Sequence, residues 1–337
     1  MKEDFAILIG INDYTSPTQK GLRTLGGAVN DANKLEKWVA SATGGNVPAP
    51  NIKKIISSSM PLKPLQDEID DAFLEIEATI QAQGGTARRL YFYFAGHGLG
   101  TLDSTTNTAL CLANWSESRR QSALSSEEYK DGIKQYGYFE EIFFIADCCR
   151  NTKINIKPKA PTFSIPVPGQ AAGQTKMFVA YATQYQDQSY EVESIDSEMR
   201  GAFTTVLIEG LNGAAANNGL VGVDDLRDFL IKATPELAQK QGYKQIPEIS
   251  HTYSNNATLV EVQLVGNNLN IIFGATRNNP VELFDGDLNL IETIDSSQSK
   301  RVSRQLGKGL YQLRDTLTDE TSFFQVPLSQ NKKDVTF

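Results

Sequence analysis

Phe5-Ala6-Ile7-Leu8-Ile9 is an unbroken apolar run, too short for a helix of three turns and with no polar position to face water. It predicts a strand buried on both faces. Ala28, Ala32, Leu35 and Val39 then recur at helical spacing, and residues 52–56 read as a weaker strand. Leu65, Ile69, Phe73, Ile76 and Ile80 form a second helical stripe, with Asp67 and Glu68 near its start, where the helix dipole favours negative charge. The two most apolar runs are residues 90–94 and 142–145, and residues 177–181 read as one more strand. Helices are expected around residues 203–211 and 223–231. This alternation predicts an α/β fold: a mostly parallel sheet flanked by helices.

From about residue 256 the pattern changes to short apolar segments at 259–265, 269–273, 281–284 and 310–313, separated by turn clusters such as Gly266-Asn267-Asn268 and Asn278-Asn279-Pro280. The expectation is a main domain over residues 1–255 and a small β-sandwich-like domain over residues 256–337. At 337 residues, 40% apolar and 21% charged, the chain has material for a substantial core. A net charge of -8 offers no basic stripe for a phosphate backbone, which argues against nucleic acid as a partner. No apolar run approaches the ~18 residues that cross a bilayer, and the stretch 5–11 is too short for a signal peptide core. The three cysteines, Cys111, Cys148 and Cys149, are odd in number and two are adjacent, so no disulfide framework is expected. These features together predict a soluble cytoplasmic protein.

The two most apolar strands each run straight into a polar cluster: Gly96-His97-Gly98 in one case, Asp147-Cys148-Cys149-Arg150 in the other. Sites in open α/β sheets form at such carboxyl ends. A cysteine nucleophile needs a base, because a thiol of pKa ~8.5 is only a few per cent ionised at neutral pH. Of the two histidines, His97 stands at a strand end, whereas His251 lies in the polar stretch 251–254 and reads as a surface residue. A side chain at Gly98 would obstruct a substrate, while its N–H and that of Cys149 are candidate donors to an oxyanion. The cysteines and His97 lack C-x-x-C spacing, so zinc is not expected.

Tyr93-Phe94-Ala95-Gly96-His97-Gly98 and Phe144-Ile145-Ala146-Asp147-Cys148-Cys149-Arg150 resemble the histidine and cysteine motifs of caspase-like peptidases. The D-x-C form is closer to metacaspases and their prokaryotic relatives than to animal caspases with Q-A-C. Residues 6–14 and 27–32 are similar to that family's first strand and first helix, and residues 182–191 and 201–204 to its small-subunit landmarks. His97 precedes Cys149 by 52 residues, against ~50 in caspases.

The resemblance implies a cysteine endopeptidase with Cys149 as nucleophile, His97 as its partner and Cys148 as a filler. It also carries a specificity pocket onto Asp31 and Asp147, which would receive an Arg or Lys of a protein or peptide substrate. The alternatives are cleavage after Asp, as in animal caspases, or an inactive pseudo-peptidase that binds. Residues 99–103 lack the acidic run of many metacaspases, and no four-aspartate set forms a calcium site, so no cofactor is expected. Residues 151–175 contain Pro158, Pro161, Pro166 and Pro168 without a sustained apolar period and read as an exposed, mobile loop. Lys153, Lys157 and Lys159 within it, Lys176 just beyond and Arg200 are the candidate sites at which a zymogen would be cut, by itself or by an upstream protease.

Overall fold

A computed structural model describes the chain except for residues 1, 152–154, 164–168, 170, 194–197, 218, 263–266, 287, 308 and 327–332. Lys153, Pro166 and Pro168 thus lie outside the described residues. The chain divides into two compact units, Met1–Val262 and Gln263–Phe337.

In the first unit, β1 (Asp4–Gly10), β2 (Ile52–Ile56), β3 (Ala87–Ala95), β4 (Phe139–Asp147), β5 (Lys176–Tyr181) and β6 (Glu248–His251) form one sheet in the order β6-β5-β4-β3-β1-β2. All pairings are parallel except that of β6 with β5. Helices α1 (Ala28–Ala40), α2 (Gln66–Ala82), α3 (Ser126–Tyr136), α4 (Ala202–Glu209) and α5 (Val223–Lys240) cover it. Because side chains alternate along a strand, Phe5, Ile7 and Ile9 join one apolar cluster with α2 and α3, while Ala6 and Leu8 join a second with α1, α4 and α5. That two-sided burial is why the strands read as continuous apolar runs.

The strand order places the site. β1 pairs with β2 on one side and β3 on the other, so the chain leaves β1 toward one edge and returns beyond it. Connections diverge at such a switch point and leave a crevice above the strand ends. The segments after β1, β3 and β4 all open there. Ala95 of β3 pairs with Asp147 of β4, so His97 and Cys149 each stand two residues past the last register pair, on strands about 4.8 Å apart.

Several elements differ from the sequence reading. Residues after β3 form a three-stranded antiparallel patch, Gly98–Gly100, Thr108–Cys111 and Ala123–Ser125, and α3 follows it; its stripe Tyr129, Ile133 and Tyr136 is interrupted by charged positions. α5 runs on past residue 231 through Pro235. His251 is no surface residue: its side chain is 9% exposed and its Nε2 lies 3.0 Å from Asp224 Oδ1.

The expected mobile loop after Cys149 is largely docked where it is described. Ile156 and Phe163 are buried in the α2/α3 cluster, and Phe163 stacks on Phe73 with centroids 4.1 Å apart. Buried Asp70 accepts from Thr162 N (3.1 Å) and Thr162 Oγ1 (2.7 Å), and Lys159 bridges Leu124 with its N–H and C=O both bonded. Two isolated apolar residues anchor this segment without any period.

Thr258–Glu261 pairs with Leu220–Gly222, so that strand belongs to the first unit and the chain passes to the second after Val262 rather than at residue 256. The second unit holds a three-stranded sheet and a four-stranded sheet around a shared core that includes Leu269, Ile271, Leu283, Leu313 and Phe324. Among the described residues no helix is long and apolar enough to cross a membrane.

Candidate active site

The histidine end of the site is built on Tyr14. His97 N donates to Tyr14 Oη (2.8 Å), the two rings meet edge to face at 4.8 Å, and a Cβ on Gly96 would lie 2.5 Å from the same oxygen. His97 Nε2 is 2.8 Å from the carbonyl oxygen of Arg23. A carbonyl accepts and never donates, so Nε2 carries a hydrogen in this contact.

Cys149 is partly exposed beside it, and both residues line the same cleft. Ser189 N donates to Cys149 Sγ at 3.4 Å. Burial separates the adjacent cysteines: Cys148 is 2% exposed and its thiol is pushed well above the ordinary cysteine range, first by desolvation and then by the Cys149 charge. Cys111 is buried and shifted the same way for the same leading reason. Of the three, Cys149 alone is not buried.

Gly98 departs from its sequence-based rationale. A Cβ there would collide with Cys148 Sγ and lie 2.5 Å from Cys149 O, so the glycine is required by packing against the cysteine segment rather than by substrate clearance. Gly98 pairs with Leu110 while Cys111 N bonds His97 O at 2.9 Å, which makes 98–110 a non-hydrogen-bonded pair and leaves the Gly98 N–H out of that ladder.

On the other side of Cys149 is a narrow acidic lobe of about 50 Å³, lined by Asp31, Asp147 and Glu191. Asp147 is saturated: Oδ1 accepts from Ser189 Oγ (2.8 Å), and Oδ2 from Thr204 N (3.1 Å) and Thr204 Oγ1 (2.7 Å). Asp31, in the first turn of α1, accepts from Gly201 N at 2.9 Å through Oδ2, but its Oδ1 is buried without a partner among the described residues. Burial pushes both carboxyls above their usual range; for Asp31 the Asp147 charge adds to it, and for Asp147 the bonds from Thr204 and Ser189 oppose it.

Two residues of this wall escaped the sequence reading as site residues. Glu191 accepts from Gly26 N (3.0 Å) and Gly27 N (2.5 Å), tying the start of α1 to the hairpin Glu191–Glu193/Met199–Gly201. Buried Gln245 accepts from Tyr190 N (3.0 Å) and donates to Ala182 O (3.0 Å) and Ser189 Oγ (3.2 Å), which holds the Ser189 segment against Cys149. Nothing in the periodicity marks either one, because distant segments bring them in. Among the described residues no group of three metal-ligating side chains converges.

A family model of the caspase domain matches residues 3–258, three quarters of the chain. The chain belongs to the caspase family. This caspase domain is of cysteine-peptidase type, and its match ends where the second unit is about to begin. The chain is also 29% identical over 241 residues to a probable protease from a Desulfuromonadales bacterium, covering 68% of this chain and 28% of that protein. It therefore spans just over a quarter of that relative's length. A crystal structure of caspase-1 from Spodoptera frugiperda aligns with 78% of this chain and 91% of its own, at a TM-score of 0.48 and 14% identity.

Within the caspase domain the candidate processing residues are unequal. Lys159 lies in a bridge, Lys176 begins β5, and Arg200 is buried in the strand Met199–Gly201 with its guanidinium 2.6 Å from Glu198. Lys157 is exposed and outside any strand.

Proposed function

We propose that this caspase domain is an endopeptidase that cleaves protein or peptide substrates after Arg or Lys through an acyl-enzyme on Cys149. The observation that carries the specificity is the acidic lobe beside the nucleophile, where Asp31 keeps one buried carboxylate oxygen unpartnered among the described residues. Three carboxylates line the lobe against the single cation Arg23, and a substrate guanidinium supplies planar paired donors that match the open oxygen. An aspartate in that lobe would meet three carboxylates, which disfavours caspase-type cleavage after Asp. An intact His97 and a single exposed cysteine disfavour a purely binding role.

In this mechanism the Cys149 thiol passes its proton to His97 and the sulfur attacks the carbonyl after the basic residue. The N–H groups of Gly98 and Cys149 stabilise the oxyanion. His97 then protonates the departing amine, and water attacks the thioester with His97 as base. The Arg23 carbonyl keeps the ring oriented. A cleft needs its substrate extended and unpaired, so any activating cut among the described candidates falls to Lys157.

The deciding experiment is hydrolysis of matched peptides with Arg, Lys or Asp before the cut, with calcium or a chelator present, alongside labelling by an Arg-based thiol-reactive inhibitor. The expectation is turnover of Arg and Lys peptides and modification of Cys149. A preference for Asp, or no labelling, overturns the reading.

A further inference from the structure

The cleft has a second, wider lobe of about 720 Å³ that shares Arg23, His97, Cys149, Ser189 and Tyr190 with the acidic one. The two lobes divide along the strand direction. Residues that precede the reactive pair, Ala95, Gly96, Asp147 and Cys148, line the acidic lobe; residues that follow it, Gly98, Leu99 and Asn151, line the wide lobe. Apart from Arg23, which stands between the two and lines both, the charges divide with them. The wide lobe carries Lys20 and Arg23 against a single carboxylate, Glu117. Neither cation has a carboxylate partner among the described residues, whereas Lys53, Lys54, Lys63 and Arg88 of the same domain each have one.

The rim that holds these cations is built rather than loose. Lys20 sits at φ 60° with its N–H on Pro17 O (2.9 Å), and its carbonyl accepts from Glu117 N (2.9 Å). Gly21 bridges Ser116, and a Cβ on it would collide with the Thr15 carbonyl. Beneath lie Leu22, Leu99 and Trp115, the last only 4% exposed.

We propose that the wide lobe is a leaving-group subsite for an acidic residue, so that the preferred substrate has Asp or Glu within the two positions after the cleaved Arg or Lys. This rests on the Arg/Lys reading above. The side follows from the division of the cleft: with the residue before the cut in the acidic lobe, the chain after the cut continues into the other lobe, which shares His97 and Cys149 with it and where His97 hands its proton to the departing amine. Opposite charge on the two sides of the nucleophile also sets the direction in which a peptide lies, since a reversed peptide would meet like charge in both lobes.

The test uses the whole chain and quenched peptides with Arg before the cut. Glu, Gln or Lys is placed at the first or second position after it, and in a parallel set at the position before the Arg. An Arg amide whose leaving group is a bare coumarin probes the Arg reading separately. Exposed ion pairs are worth ~0.2–1 kcal/mol, so wild type should cleave the Glu peptide about three- to five-fold faster than the Lys peptide, with Gln between. High salt should erase the difference. The ratio of the two rates, taken within each variant so that losses of folded enzyme cancel, should invert in Lys20→Glu and widen in Glu117→Gln. An unchanged ratio in Lys20→Glu, or a preference located before the Arg, overturns the subsite while the coumarin amide is still cleaved. A coumarin amide left intact, with Cys149 unlabelled, removes the Arg reading and the subsite together.

Discussion

The floor and the wall of the cleft are built on different terms. The floor is the paired ends of β3 and β4, where Gly96, Gly98, Cys148 and Asp147 interlock so closely that an added Cβ at either glycine collides or comes within 2.5 Å of a neighbour. The wall is the start of α1, the hairpin Glu191–Glu193/Met199–Gly201 and the Ser189 segment, joined by individual hydrogen bonds and including one buried carboxylate oxygen with none among the described residues. Reactive atoms must be held to fractions of an ångström, and dense packing does that. A specificity pocket must instead keep polar groups for its ligand, at some cost to the free protein. Floor substitutions should therefore act on turnover and folding, and wall substitutions on substrate choice.

The largest effect tests the floor at its reactive atom. Cys149→Ala should abolish peptide hydrolysis, whereas Cys148→Ala, one residue away but under Gly98, should keep most of it and lose about 1 kcal/mol of stability from the small void. Rates and melting curves of both variants report this, and an active Cys149→Ala would reverse the assignment. His97→Ala should follow with a loss of at least ~10² in kcat, while His251→Ala, remote from the cleft, should change kcat little.

On the wall, Asp31→Asn should cut kcat/KM on Arg peptides ~10- to 100-fold, the scale of a charge-assisted hydrogen bond of ~1.5–3 kcal/mol, without lowering the melting temperature. Asp147→Asn should lose both, because its new amide would face the hydroxyl and N–H donors of Ser189 and Thr204. Equal stability losses from the two would erase the contrast. Gly98→Ala returns to the floor: overpacking should cost ~1–3 kcal/mol by denaturant melts, with turnover falling as the Cys148–Cys149 segment shifts.

The smallest effect is in pH. The Asp31 ionisation is raised in the folded protein, so its contribution to stability is present below the unfolded value of ~3.9 and is lost as pH rises through the folded one. An Arg side chain pairs with the ionised form, so the preference for Arg over its uncharged analogue citrulline should grow over the same rise. Stability and preference thus move oppositely with pH, and Asp31→Asn should flatten both. Parallel curves would show that Asp31 faces no ligand.

Much of this was legible in the sequence where chemistry demands rare residues in special places. His97 and Cys149 follow the two most apolar runs, and Asp31 and Asp147 came with the family resemblance. The rest depended on long-range packing. Glu191 reaches the pocket because a hairpin folds onto α1. Phe163 pins a proline-containing stretch by a single aromatic stack, with too few apolar residues to form a pattern. Asp70 stands outside the apolar stripe of α2, yet it is buried under Thr162. Thr258–Glu261 looks like the start of a new module until its partner Leu220–Gly222 is known.

The equal two-residue overhang of His97 and Cys149 past the Ala95–Asp147 pair separates what evolution is free to lengthen from what it must conserve. Within the 52 residues between the two, only the exposed turns are length variables, because doubling a flexible connection costs only ~0.6 kcal/mol of closure entropy. Deleting a single residue inside β4 costs far more, because it draws the sulfur back by ~3.3 Å and turns it to the opposite face of the sheet. Insertions at the exposed turn of residues 102–103 should be tolerated by an assay that no one-residue deletion in β3 or β4 survives.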